Sequence, residues 1–156
     1  MIEGKPRQYW DTSVWAAWNN NDHDNARETC NKLLREAEEG KLEIALSTLV
    51  VAEFCPPKTQ EFDDLLNKYL QRSQFIFVAV NRVIAEMARA LTGKYSRLKG
   101  ADAVHVATAI FSKAEVLYTY DDKDMLKFAP VITEIKISKP VWTGQMDNMF
   151  KEEAPI

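Results

Sequence analysis

The stretch ADAVHVATAIFSKAEVLYTYDD (Ala101–Asp122) decides the fold. Its first half is rich in Ala and Val and apolar on most of a helical surface, which predicts a buried helix over Ala101–Lys113. Its second half predicts a strand over Glu115–Tyr120, and acids follow at once. The same alternation runs outward in both directions. A short strand is expected at Gln8–Asp11, then a helix from Thr12 or Ser13 through Trp18. The polar run Asn19–Asn25 is a turn. A helix follows from about Asn25 to Glu39, with Leu33, Leu34 and Ala37 at helical spacing and Gly40 as its stop. Leu42–Leu46 is a strand. Ser47 and Thr48 are N-cap types for a helix over Leu49–Phe54, which Pro56 and Pro57 end. A helix over about Thr59–Gln71 carries Phe62, Leu65, Leu66 and Tyr69 on one face. Phe75–Val80 is the most apolar strand and is expected at the centre of the sheet. Arg82–Thr92 is a helix closed by Gly93, and Val131–Ile137 is the last strand. From Lys139 on the chain is irregular, with Trp142 as its anchor. Strands alternating with helices predict an α/β fold with a mainly parallel sheet and helices on both faces.

Composition narrows the function classes. The chain has 156 residues, 46% of them hydrophobic and 28% charged, which suits one globular domain. Twenty basic and 23 acidic residues leave a net charge of −3, so a globally basic nucleic-acid glove is excluded while a local basic strip is not. Cys30 and Cys55, with His23 and His105, are too few for a disulfide framework or a zinc site, and any metal must be held by oxygen. No run approaches the roughly 18 apolar residues of a membrane span, and no signal-peptide pattern opens the chain. A cytoplasmic protein with reduced thiols is expected.

Sites in open parallel sheets lie at the carboxyl ends of strands. Asp11 follows the first strand, Glu53 lies one short helix after the second, Asp102 opens the buried helix, and Asp121, Asp122 and Asp124 follow Val116–Tyr120. These positions share one rim. Clustered carboxylates repel, and raised proton affinity or a bound cation relieves them. Hard ions such as Mg²⁺ or Mn²⁺ take oxygen ligands, and they lower the pKa of a bound water and steady displacement at phosphorus. The plainer roles are turn former, N-cap or solvated acid, and in YDDKDM at most one or two acids are ligands. Thr12, Ser13 and Thr119 could orient a carboxylate or simply cap. His105, one turn after Asp102, is either a satisfied core histidine or a partner for one of these acids.

Arg82, Arg89, Lys94, Arg97 and Lys99 face one acid, Glu86, within their segment. They form a candidate phosphate-tracking strip that leads into Asp102, or a solvated face with an Arg82–Glu86 pair. Tyr95 lies in the strip and could stack on a base. Trp15 and Trp18, at helical spacing, are assigned to core or partner contact. Cys55 has no neighbour that would activate it as a nucleophile.

Four segments in order, YWDTSVW, LSTLVVAEF, KGADAVHVATAI and VLYTYDDKDM, resemble the PIN domain and, within it, the toxin ribonucleases of VapBC-type toxin–antitoxin systems. The resemblance extends over about Tyr9–Ile137. It implies a three-layer sandwich around about five strands in a single domain over residues 1–156, with a core of about 9–137 and a tail over 138–156. It also implies a Mg²⁺- or Mn²⁺-dependent endoribonuclease. Asp11, Glu53 and Asp102 match the family's regular acids, and a T-x-D pattern selects Asp121 after Thr119, with Asp122 and Asp124 as rivals. Ser13 matches the hydroxyl residue that follows the first acid. An RNA substrate, a cognate antitoxin and a homodimer come with the resemblance. The tail and the tryptophans around Asp11 depart from the pattern without removing an acid. The rival within the fold is a binding module with a degenerate acidic site. A phosphate-accepting response regulator fits poorly, because Asp11 is unpaired and Phe75–Val80 leads into no Asp.

Overall fold

The computed structural model describes residues 4–54, 60–69, 71–142 and 144. Its elements are β1 (Arg7–Trp10), α1 (Thr12–Asn20), α2 (Ala26–Glu38), β2 (Glu43–Ser47), α3 (Thr48–Glu53), α4 (Gln60–Tyr69), β3 (Phe75–Val78), α5 (Arg82–Lys94), α6 (Gly100–Phe111), β4 (Val116–Tyr118), a 3-10 helix (Met125–Phe128) and β5 (Lys136–Ser138). Cys55, Pro56, Pro57 and Thr59 lie outside the described residues, as do the side chains of Phe62, Leu65 and Leu66.

All five strands are parallel, in the order β3-β2-β1-β4-β5. The chain builds outward from β1 through β2 to β3, then crosses back to lay β4 on the other side of β1. The carboxyl ends of β1 and β4 therefore flank the point where strand order reverses, the usual place for a ligand crevice.

Side-chain alternation along the strands divides the core into two layers. Trp10, Ile44, Leu46 and Tyr118 point to one face and pack with Val14 and Trp15 of α1 and Leu33 and Leu34 of α2. Tyr9, Ala45 and Leu117 point to the other, against Ile84 and Leu91 of α5 and Ala103, Val106 and Ala107 of α6. This is the three-layer sandwich expected. The first face is aromatic, with the Trp10 and Trp15 rings 4.8 Å apart. To the second, α6 contributes mostly small residues, Ala103, Ala107 and Ala109 beside Val106. Trp18 is half-buried and donates to Asn31 Oδ1 at 2.9 Å. Trp142 anchors the tail on α2, where Nε1 donates to Glu36 Oε1 at 2.9 Å under the Lys32 ammonium.

Capping follows the sequence signals in part. Ser47 caps α3, its Oγ accepting from Leu49 N at 3.0 Å. Gly40 follows α2 at φ 75°, a conformation that costs other residues a Cβ clash. Three expectations are corrected. The central strand is β1, not Phe75–Val80, whose strand portion Phe75–Val78 lies at the sheet edge with Phe77 37% exposed. An apolar run reports covered faces, not the number of neighbouring strands. Gly93 does not stop α5, which continues to Lys94. β5 begins only at Lys136, because the Val131 and Ile132 amides donate back to Phe128 O and close onto the 3-10 helix.

Candidate active site

Asp11 sits where β1 ends and α1 begins. Its backbone amide continues the ladder to Tyr118 O, and its side chain caps α1 through Val14 N at 3.3 Å. Capping alone does not account for its surroundings. The carboxyl is 4% exposed, and Ser13 Oγ donates to Oδ1 at 2.5 Å. Ser13 Oγ in turn accepts from Tyr120 N at 2.8 Å and meets Thr119 Oγ1 at 3.1 Å, so Ser13 ties the ends of β1 and β4 together. Burial pushes the Asp11 carboxyl up, and hydrogen bonds from Ser13 and Thr119 offset this only partly.

Glu53 closes α3 and reaches α6. Its Oε1 accepts from His105 Nε2 at 2.7 Å and from Thr12 Oγ1 at 2.7 Å. His105 is 2% exposed, and its Nδ1 lies 2.5 Å from the hydroxyl of Tyr9, itself fully buried on β1. When the Tyr9 hydroxyl donates to Nδ1, the ring keeps its proton on Nε2, facing Glu53. His105 is thus both things the sequence left open, a satisfied core histidine and a partner of one acid. Burial pushes the Glu53 carboxyl up, but the hydrogen bonds from His105 and Thr12 outweigh it and hold the group below its ordinary range. Tyr9 was not a sequence candidate. Its place two residues before Asp11 puts it on the same strand face, toward α6, and that alternation was the available signal.

Asp102, in the first turn of α6, has the opposite fate. Burial first, then the charges of Asp121, Asp11 and Asp124, raise its carboxyl to about 6, although His105 works against them. Asp11, Asp121 and Asp124 are therefore each close enough to act on Asp102. Asp121 N donates to Thr119 Oγ1 at 3.1 Å, and Asp121 Oδ1 accepts from Asp124 N at 3.1 Å, which folds the YDDKDM turn over the end of β4. Asp122 is exposed and is not among the charges acting on Asp102.

Among the described residues, no group of three or more His, Cys, Asp or Glu side chains is spaced to ligate one ion. The donor chemistry nevertheless fits a hard divalent cation: the oxygens are carboxylate, and their charges destabilise one another. Mg²⁺ commonly takes only one or two protein carboxylates and keeps its waters.

The basic strip is divided. Arg82 pairs with Glu86 at 2.9 Å and Lys94 with Glu134 at 2.7 Å, an acid distant in sequence. Arg89, Arg97 and Lys99 make no ion pair among the described residues. Only Lys94 and Arg97 of the strip line a hollow that Asp124 also borders. Tyr95 does not offer its ring to a base. It is buried in the α5–α6 layer, and its hydroxyl donates to Glu134 Oε2 at 2.7 Å.

The PIN domain family model matches residues 9–129. The chain belongs to the PIN domain family. The matched span runs from Tyr9 to just past the 3-10 helix, so it takes in Asp11, Glu53, Asp102, Asp121, Asp122 and Asp124. Comparison with curated proteins gave no match. Solved structures share the PIN fold at low identity. A toxin–antitoxin complex from Klebsiella pneumoniae superimposes at TM-score 0.55 and 23% identity, covering 83% of this chain and 99% of the other. VapBC2 from Rickettsia felis, bound to a DNA fragment from its promoter, gives 0.59 and 19%, with 85% and 98% covered. Mycobacterium tuberculosis VapC20, a sarcin–ricin-loop-cleaving toxin, gives 0.50 and 17%, with 83% and 98% covered.

Proposed function

We propose that this PIN domain is a divalent-metal-dependent endoribonuclease, the toxin of a toxin–antitoxin pair. The observation that carries the reading is the convergence of Asp11, Asp102, Asp121 and Asp124 at the strand-order reversal, with Asp102 raised to about 6 by burial and by its neighbours. Carboxylates kept together at such a cost suit a bound cation. Family membership and the likeness to solved toxin–antitoxin structures support the same class. The antitoxin is a separate chain, the toxin is a homodimer, and both work in the cytoplasm beside the RNA.

Asp11, Asp102, Asp121 and Glu53 would hold Mg²⁺ or Mn²⁺, which would supply an activated water and stabilisation of charge on the phosphate. The protein's own part is positional. Ser13 and Thr119 fix Asp11 at the joint of β1 and β4. His105 and Thr12 fix Glu53 through one oxygen. Arg97 and Lys99, with Arg82, Arg89 and Lys94 beyond them, orient the RNA backbone as it approaches the carboxylates.

Incubation with single-stranded RNA tests the reading. Cleavage with Mg²⁺ or Mn²⁺, its loss in chelator, and its loss in Asp11→Asn and Asp102→Asn are expected. Intact RNA with both ions would overturn it. The absence of a ready three-ligand cluster favours a second reading, a PIN-fold RNA- or protein-binding module with a degenerate site. That module would bind RNA equally well in chelator and cleave none.

A further inference from the structure

Beside the acid cluster, the end of α5 and the 3-10 helix enclose a hollow of about 410 Å³, within the roughly 300–1,000 Å³ of small-ligand sites. Its two sides differ. On the α5 side, Lys94 and the Tyr95 hydroxyl are both bonded to Glu134, whose carboxyl they hold down at about 2. That wall is fixed and its charge is internally matched. The unmatched charge is elsewhere. Arg97, in the turn after α5, and Lys127, on the 3-10 helix, both line the hollow and are exposed. Neither makes a side-chain hydrogen bond or an ion pair among the described residues. The hollow's lining also includes apolar surface: Phe128 is half-buried against the core, and Val131 is 51% exposed. Asp124 joins the hollow to the carboxylates, because it lines the one and acts on Asp102 in the other.

From two unmatched cations, an aromatic ring and an aliphatic wall next to a phosphodiester-cleaving centre, we infer that this hollow is a subsite for one nucleotide of single-stranded RNA. The inference rests on the ribonuclease reading and names where its substrate is gripped. Arg97 and Lys127 take the phosphate, and Phe128 and Val131 take the base, a contact tolerant of sequence because every base offers a π face. An acidic peptide would satisfy the cations but leave the apolar wall uncovered. Lys127 was not a sequence candidate; it comes to the strip only through the 3-10 turn.

Fluorescence anisotropy of a labelled single-stranded RNA, measured in chelator so that nothing is cleaved, tests the subsite on the full chain. Arg97→Ala/Lys127→Ala should weaken binding about ten-fold. It should also reduce the slope of log affinity against log salt by roughly 0.7, the loss of one neutralised phosphate on a single strand. Phe128→Leu, which keeps the packing, should weaken binding about five-fold with the slope unchanged. Wild-type affinity and slope in the double variant would overturn the subsite. So would a glutamate octapeptide that competes with the RNA at these residues and binds more tightly. Cleavage by the wild type with Mn²⁺ is scored separately. RNA cleaved but held elsewhere defeats the subsite alone, whereas RNA held here and never cleaved defeats the nuclease reading and leaves the subsite standing.

Discussion

His105 acts on both Glu53, by a hydrogen bond, and Asp102, by charge alone, and the fold treats the two acids in opposite ways. Glu53 receives two hydrogen bonds on Oε1 and sits below its ordinary acidity range, charged and anchored. Asp102 is given burial and three like-charged neighbours, and it rises to about 6. One carboxylate is satisfied by protein donors; the other accepts no hydrogen bond among the described residues. A domain that needed only structure at this rim would have treated both as it treats Glu53. On the proposed nuclease reading, Asp102 is the acid that a bound cation would relieve and Glu53 the anchored acid beside it.

The largest effect expected from this contrast is on the bound ion. Saturating Mn²⁺, at about 100 times its dissociation constant, should stabilise the fold by ~2.7 kcal/mol. For a chain of this size that is a rise in Tm of roughly 5–10 °C. Asp102→Asn should abolish the rise, and chelator should reverse it in the wild type. Differential scanning fluorimetry reads both. If Mn²⁺ leaves the wild-type Tm where it was, Asp102 is a strained acid with no ion to relieve it.

Removing the other side's support comes next. His105→Ala leaves a cavity under α6, takes the donor from Glu53 and leaves the Tyr9 hydroxyl with no ring to meet. A loss of roughly 2–3 kcal/mol is expected in urea unfolding, from the unpaired buried groups and the lost packing together. Tyr9→Phe removes only the hydroxyl and should cost roughly 1 kcal/mol. If His105→Ala unfolds at the wild-type urea concentration, the anchoring of Glu53 is decorative and the contrast with Asp102 disappears.

Both acids are legible in the sequence, but the partners that anchor Glu53 are not. Asp11 and Asp102 are legible because their positions, after a strand and at a helix start, are themselves chemical signals. The alternating βα pattern carries the fold class, the parallel sheet and the two helical layers for the same reason. Strand order is another matter. β1 holds only two buried apolar residues, Tyr9 and Trp10, yet it is the centre of the sheet, while the more apolar β3 is an edge. Periodicity measures what covers a strand, whereas order is set by where crossovers land. The Tyr9–His105–Glu53 chain is out of reach in the same way. It joins residues 96 and 52 positions apart, and no local pattern encodes that meeting. Tyr95 shows the converse error: a tyrosine amid basic residues looks available to a base until Glu134, 39 residues on, takes its hydroxyl.

The smallest effect expected is a pH dependence of the metal-free protein, and its sign follows from the two acidities. Folding raises the Asp102 carboxyl from 3.8 to about 6, so folding favours its protonated form. That contribution is fully present below pH 3.8, fades as pH rises, and is gone above about 6, where folding must hold the charge among Asp121, Asp11 and Asp124. Glu53 runs the other way: its support is present above 4.5 and is lost as pH falls below that value. Asp102→Asn keeps the shape and cannot ionise. In chelator at pH 8 it should therefore be more stable than the wild type by about 1 kcal/mol, a figure reduced for the solvent that screens a half-exposed group. That is roughly 2–4 °C in Tm. The gain should shrink through pH 6 and be largely gone near pH 4, where Asp102 is protonated in the folded chain and about half protonated in the unfolded one. Glu53→Gln should show no such gain at pH 8 and should be less stable there, because it exchanges a charged acceptor for a neutral one opposite His105 and Thr12. Melting curves of the three proteins between pH 4 and 8 decide the matter. Equal stabilisation by both substitutions would mean that the rim repels all its carboxylates alike, and Asp102 would hold no special place among them.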